Sequence, residues 1–198
     1  MSSSHLRLEE PPTAIRPTSP EDAREQLALR RANRDHTGPW DPLRDESFYT
    51  EAGQRLELDL DQRAWSAGSA YAFAVLDLDD GGCLIGRVAL ANVVRGPWQN
   101  ATLGYWIDQR VTGRGHATRA VRLALRFAFE HAGLHRVQPA IIPRNRRSVR
   151  VAEKAGFRLE GRALRYLRIN GVWEDHDIYA LTLEDWEHRQ GRVAPGPG

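Results

Sequence analysis

The hydrophobic pattern changes period several times along this chain of 198 residues, and each change marks an element. Thr13 to Arg16 reads as a short first strand. Ser19-Pro20-Glu21-Asp22 is a helix start: a cap residue, proline at the first position, then acids at the positive end of the dipole. That helix runs to about Asn33. A loop from His36 to Pro42 separates it from a second helix over 45–64. Residues 71–78 and 84–94 read as strands around the turn Asp79-Asp80-Gly81-Gly82, and Thr102 to Ile107 is a third. From 115 the period lengthens to about 3.6. Ala117, Ala120, Val121, Ala124, Leu125 and Ala128 form one stripe, Arg119, Arg122 and Arg126 face away, and Gly133 stops the helix. A strand over 136–142, a helix over 146–155 with Gly156 as its cap, and two strands over 157–169 and 172–183 complete the chain. The last two pair across Asn170-Gly171, a strong hairpin signal. The order predicts an α/β sandwich with a mixed sheet.

Both ends are polar. Residues 1–12, ending in Pro11-Pro12, read as a flexible leader and 189–198 as a flexible tail, leaving one domain over 13–188. Composition is globular, 41% apolar and 27% charged. The single Cys83 excludes an internal disulfide and cysteine-rich zinc modules; it follows two glycines without a local histidine and reads as packing. No apolar run approaches a bilayer span and no secretory signal stands at the start, so the cytoplasm is the expected compartment. The net charge is only +2, but of 28 basic residues Lys154 alone is lysine. That bias fits a GC-rich genome. It also leaves two arginine groups, 110–126 and 144–150, that suit phosphate or nucleic acid.

Ile107 to Thr118 is the most informative stretch. A strand ends, a turn with glycines at 113 and 115 follows, and an amphipathic helix begins. Small residues at 113, 115 and 117 admit a ligand to the backbone, and the helix's first-turn N–H groups aim at an anion. Arg110 and Arg114 are placed to add charge from the sides. A Walker A loop is excluded because Lys154 follows Glu153, and the dinucleotide pattern fails because 118 is threonine. A tight turn with no ligand remains the plain alternative.

Arg110-x-x-Gly113-x-Gly115-x-Ala117 resembles the R/Q-x-x-G-x-G/A signature of the GNAT acetyltransferases, and Asn145 to Phe157 resembles their N-x-x-S…K-x-G-F block. Pro39-Trp40-x-Pro42, Leu159-Glu160-Gly161 and Asn170-Gly171-x-Trp173-x-Asp175-His176 are similar to the RimJ/RimL-type ribosomal-protein N-terminal acetyltransferases, the RimJ branch above all. The resemblance implies the GNAT fold: a mixed central sheet flanked by helices, in which strands 102–108 and 136–142 flank the arm of acetyl-CoA. It implies backbone N–H groups near Ile107 and Asp108 on the thioester carbonyl. Arg110, Val111, Gly113, Arg114, Gly115, His116, Ala117 and Thr118 would hold the pyrophosphate and Asn145 the arm, unless Asn145 merely caps its helix. Ser148 matches the family serine that protonates the leaving thiolate; Tyr105 and Tyr166 are alternative acids. His176 would relay a proton and Asp175 bind acceptor, or the two are a structural pair. Trp40, with Phe48 and Tyr49, belongs to the segment that shapes the acceptor site, with core packing as the alternative. Glu160 is treated as structural.

Strand 102–108 lacks the glutamate many such enzymes carry, with Thr102 near its position. An α-amine, with a pKa of about 7.7–8.0, asks less of a base than a lysine at about 10.4. The expected activity is therefore acetyl transfer to a free protein N-terminus, a ribosomal protein being one acceptor, by a monomer or homodimer with no membrane and no direct nucleic-acid contact. A small-amine acetyltransferase and a CoA-binding regulator or ribosome-associated module are the alternatives. His131 and His135 lack a third ligand, and no metal is expected.

Overall fold

The computed structural model of the chain describes residues 6–191. Nine strands form one twisted sheet in the order β1-β2-β3-β4-β5-β6-β9-β7, with β8 paired to β9. The strands are β1 (Leu8–Glu10), β2 (Thr13–Pro17), β3 (Tyr71–Asp77), β4 (Cys83–Val94), β5 (Asn100–Ile107), β6 (Arg136–Gln138), β7 (Ala140–Ile141), β8 (Arg158–Ile169) and β9 (Val172–Thr182). The helices are α1 (Ala23–Ala32), α2 (Arg34–Thr37), α3 (Glu51–Ala67), α4 (His116–Arg126), α5 (Arg146–Ala155) and α6 (Leu183–Arg189).

Alternation along β5 explains the layers. Leu103, Tyr105 and Ile107 pack on one side with the apolar stripe of α4, including Ala120, Val121 and Ala124. Trp106 points to the other side and joins Leu29 of α1. Helix α3 rests on α1, where buried Gln26 donates to the Gln54 carbonyl oxygen at 2.9 Å.

Three expectations are corrected. The predicted flexible leader contains β1, which pairs with β2 because Leu8 is buried in the main core and Pro11-Pro12 form the turn between them. Residues 1–5 of that leader, and 192–198 of the predicted tail, lie outside the described residues. The strand over 136–142 is two short strands, since Pro139 has no N–H for a ladder; its carbonyl still accepts from Tyr179 N at 3.0 Å. Helix α6 was missed, although Thr182 and Asp185 form a capping box across its first turn.

The feature that matters for the site is a divergence. β5 and β6 run parallel and pair only over Asn100–Thr102 against Arg136–Gln138. Beyond Thr102 the two part, β5 staying with β4 while β7 follows β9. A wedge opens between them.

Candidate active site

The turn from β5 to α4 sits at the mouth of this wedge and is built largely from main chain. Gly113 and Gly115 have φ of +87° and +88°, a left-handed region that penalises any side chain. Their N–H groups meet no acceptor among the described residues. The first-turn N–H groups of α4, from His116, Ala117 and Thr118, add to them by helix geometry. A side chain at Gly113 would meet no protein atom within 4 Å, so the space over the turn is open. Arg119 ties the turn down by donating to the Arg114 carbonyl at 3.0 Å. Such a concave row of donors at the positive end of a helix fits a pyrophosphate.

Two side chains assigned to this cradle do other work. The carboxylate of Asp108 is almost fully buried; burial pushes its pKa up, but bonds from Arg110 Nε at 2.7 Å, Arg110 N at 3.1 Å and Asn33 Nδ2 at 3.3 Å outweigh it and hold it low. The Arg110 guanidinium is thereby occupied by Asp108 and braces the turn instead of gripping a ligand alone. Asn33, which the sequence did not single out, also accepts from Gln109 N at 2.8 Å and ties the end of α1 to the turn. His116 is 2% exposed and faces inward, with Nδ1 2.9 Å from Thr13 Oγ1 and Nε2 3.4 Å from Asp77. Burial lowers its pKa, partly offset by Asp77. It offers a ligand its main-chain N–H only.

The expected pair of carbonyl-polarising donors reduces to one. Asp108 N donates to Ile85 O at 2.7 Å and is spent on β4. Antiparallel alternation turns the N–H of Ile107 the opposite way, into the wedge. Across that wedge the predicted acids meet: Tyr105 OH on β5 lies 2.8 Å from Ser148 Oγ on α5. Burial raises the Tyr105 phenol to about 12, against the lowering effect of Ser148. Asn145 is the cap of α5, its Oδ1 accepting from Ser148 N at 3.1 Å, so it positions Ser148 whatever else it binds.

His176 makes no hydrogen bond to Tyr105 or Ser148 among the described residues. The His176 ring is buried, Nδ1 3.0 Å from the Glu174 carbonyl and its ring beside Tyr166. Asp175 accepts from Arg165 N at 2.8 Å and lines a cavity of about 370 Å³ with Ile142, Pro143, Arg144, Trp173 and Glu174. Trp40 lies 5.4 Å from the Arg144 guanidinium, beside the same cavity, and Arg144 pairs with Glu174 at 2.7 Å. Phe48 and Tyr49 pack edge to face on each other. Thr102 Oγ1 donates to Ala91 O and accepts from Asn92, and Glu160 is held by Arg136 and Arg158. His135 pairs with Glu184 while His131 stacks on Phe127, so the two do not converge. Among the described residues no helix is long and apolar enough to cross a membrane.

Residues 13–158 match the family described as an acetyltransferase (GNAT) domain. The chain is 40% identical over 173 residues to "Probable N-acetyltransferase YjcK" of Bacillus subtilis, covering 87% of this chain and 95% of that protein. It is 37% identical over 154 residues to the [ribosomal protein uS5]-alanine N-acetyltransferase of Escherichia coli, covering 78% and 79%. The structure of Mycobacterium smegmatis RimJ in complex with CoA-disulfide superposes with a TM-score of 0.84 at 28% identity, covering 91% of this chain and 90% of that one. With the wedge, the glycine cradle and these matches together, the chain belongs to the GNAT family, among RimJ/RimL-type enzymes, and is an acetyl-CoA-dependent N-acetyltransferase.

Proposed function

We propose that the chain acetylates the free α-amino group of a protein N-terminus, with ribosomal proteins as the acceptor class. The observation that carries this reading is the face that β5 turns away from α4: Thr102, Gly104 and Trp106, with no carboxylate among them. Gly104 is exposed and a side chain there would meet nothing within 4 Å, which leaves a slot for a slender amine. The Thr102 hydroxyl, already bonded on both sides, is no base for a lysine. An α-amine is about a tenth neutral at neutral pH and suits such a face. The uS5-alanine enzyme of Escherichia coli, similar over most of this chain, supports the acceptor class.

Bound acetyl-CoA supplies the acyl thioester. In this reading Gly113, Gly115 and the α4 N-terminus, from His116 to Thr118, orient its pyrophosphate through main-chain donors, beside Val111 and Arg114. Asn145 flanks its arm. Ile107 N–H faces the carbonyl, where a fixed donor stabilises developing negative charge. The Tyr105–Ser148 pair holds the proton for the departing thiolate. Trp40 and Asp175 border the acceptor's path. Of the two carboxylates lining the cavity beside them Arg144 offsets Glu174, which leaves Asp175 alone, less negative charge than a polyamine's several ammonium groups would call for.

The test is thiol release from acetyl-CoA with peptides bearing free or blocked N-termini, beside small amines including spermidine. Turnover confined to free-N-terminal peptides is the expected result. Equal turnover of blocked, lysine-containing peptides, or turnover of spermidine alone, overturns the reading.

A further inference from the structure

We propose that Asp41 receives the ammonium of the acceptor and takes its proton, an inference that rests on the N-terminal reading above. Residues Gly38 to Leu43 form a strap over the mouth of the wedge. On the β7 side Trp40 lies against Arg144, in the loop between β7 and α5. On the hairpin side Asp41 O accepts from Asn170 N at 3.0 Å, and Leu43 reaches the turn at Gly171. On the β5 side the Asp41 carboxylate faces Arg30, whose guanidinium lies 4.3 Å over the Trp106 ring. Asp41 thus bridges both walls of the gap through which an acceptor must come.

The pairing beneath Asp41 is conspicuously incomplete. Arg30 is 6% exposed, yet a single Nη approaches the carboxylate, at 3.4 Å, and its buried Nε has no partner among the described residues. A buried arginine that served only to neutralise Asp41 would close a two-bonded fork at shorter range. The Asp41 side chain is 35% exposed, so lone pairs on its two oxygens remain open to a visitor with three N–H donors. Burial raises the Asp41 pKa, and the guanidinium groups of Arg30, Arg44 and Arg87 pull against it without reversing it. Glu57 of α3, which acts on Arg30, and Asp61 of the same helix, which pairs with Arg87 at 2.6 Å, are further charges in this layer. A carboxylate so raised is a better proton acceptor than an ordinary one.

The step balances. An N–H bond of the ammonium breaks and its proton passes to an Asp41 oxygen. The freed lone pair forms the N–C bond, the C–S bond breaks, and the thiolate takes a proton from the Tyr105–Ser148 pair; the second proton shed by the acetylated nitrogen passes through water to that pair and restores it. Asp41 then releases its proton to solvent.

Asp41→Asn keeps the shape and both main-chain bonds of the residue, its N–H donating to Thr37 O at 3.1 Å and its carbonyl accepting from Asn170 N. Calorimetry in the presence of CoA and steady-state kinetics are run with one peptide, its N-terminus free or acetylated. The variant is expected to lose the preference for the free peptide, to raise its KM about tenfold to a hundredfold, and to leave the KM for acetyl-CoA unchanged. Its kcat/KM profile is expected to lose the acidic limb, and Asp41→Glu to restore part of the loss. A variant that keeps the preference overturns the proposal, as does one whose acetyl-CoA KM rises equally, which marks a structural strap. A wild-type enzyme with no preference for the free peptide sinks the N-terminal reading and this inference together; a preference retained in the variant sinks only the inference.

Discussion

The donor side and the acceptor side of the wedge are made of different material. On the donor side the proposed recognition elements are main-chain N–H groups held by two left-handed glycines and a helix start, and the charged side chains nearby, Asp108 and Arg110, are spent on each other. On the acceptor side the proposed recognition elements are side chains, and they come from five separated segments: Arg30, Trp40 with Asp41, Trp106, Arg144, and the β8–β9 hairpin. A main-chain site is insensitive to most substitutions but intolerant of a side chain where the glycines stand. A side-chain site yields by degrees. Donor binding and acceptor choice can therefore vary independently.

The largest effect should come from breaking the donor side. Gly113→Trp starts from a Cβ with nothing within 4 Å and puts a bulky ring over the turn, at about 1–2 kcal/mol of left-handed strain. Acetyl-CoA affinity, read by calorimetry, is expected to fall roughly a hundredfold or more through the lost charge-assisted bonds, with circular dichroism unchanged. Between the two sides stands Tyr105. Tyr105→Phe should lower kcat about a hundredfold while both KM values hold, in the range of a lost general acid. Because burial keeps the phenol at about 12, it remains a donor at ordinary assay pH and adds no alkaline limb to the wild-type kcat profile. On the acceptor side Trp40→Ala should raise only the acceptor KM, by about fivefold to tenfold, the scale of one half-buried aromatic contact.

The support beneath the donor side gives a smaller, pH-dependent effect. His116 has its folded pKa lowered by burial, so below about pH 6.5 the unfolded chain binds the extra proton and stability falls. Above that pH both states are neutral and the contribution is constant. His116→Gln should lower Tm by a few degrees at neutral pH, roughly 1 kcal/mol, and flatten its decline on the acid side. Cys83→Ser should change neither side. Burial, reinforced by Asp80, raises its thiol to about 11, and alkylation at neutral pH should be slow and without effect on turnover.

What could be read from the chain follows the same division. Gly113, Gly115 and the α4 stripe are contiguous, so the turn and the helix start were legible down to single residues, and the alternation and turn signals placed the sheet strands close to their true ends. Asp41 stood inside the Pro39-Trp40-x-Pro42 motif as its unremarked third position, because its meaning depends on Arg30, eleven residues away, and on Asn170. Burial was equally invisible: it makes His116 a buried brace and leaves the His176 ring on the Glu174 carbonyl. Strand β5 itself was legible, but which of Ile107 and Asp108 keeps its N–H free of β4 depends on register against Ile85.

The short pairing of β5 with β6 has one more consequence. Past Thr102 the sheet contains two raw margins in its middle, rows of main-chain donors and acceptors with no strand opposite. In the reading proposed above, the arm of acetyl-CoA, with amides of its own, would lie along those margins and join β1–β5 to β6–β9. The cosubstrate would then be a structural member for as long as it stays, and each turnover would remove and replace a seam of the fold.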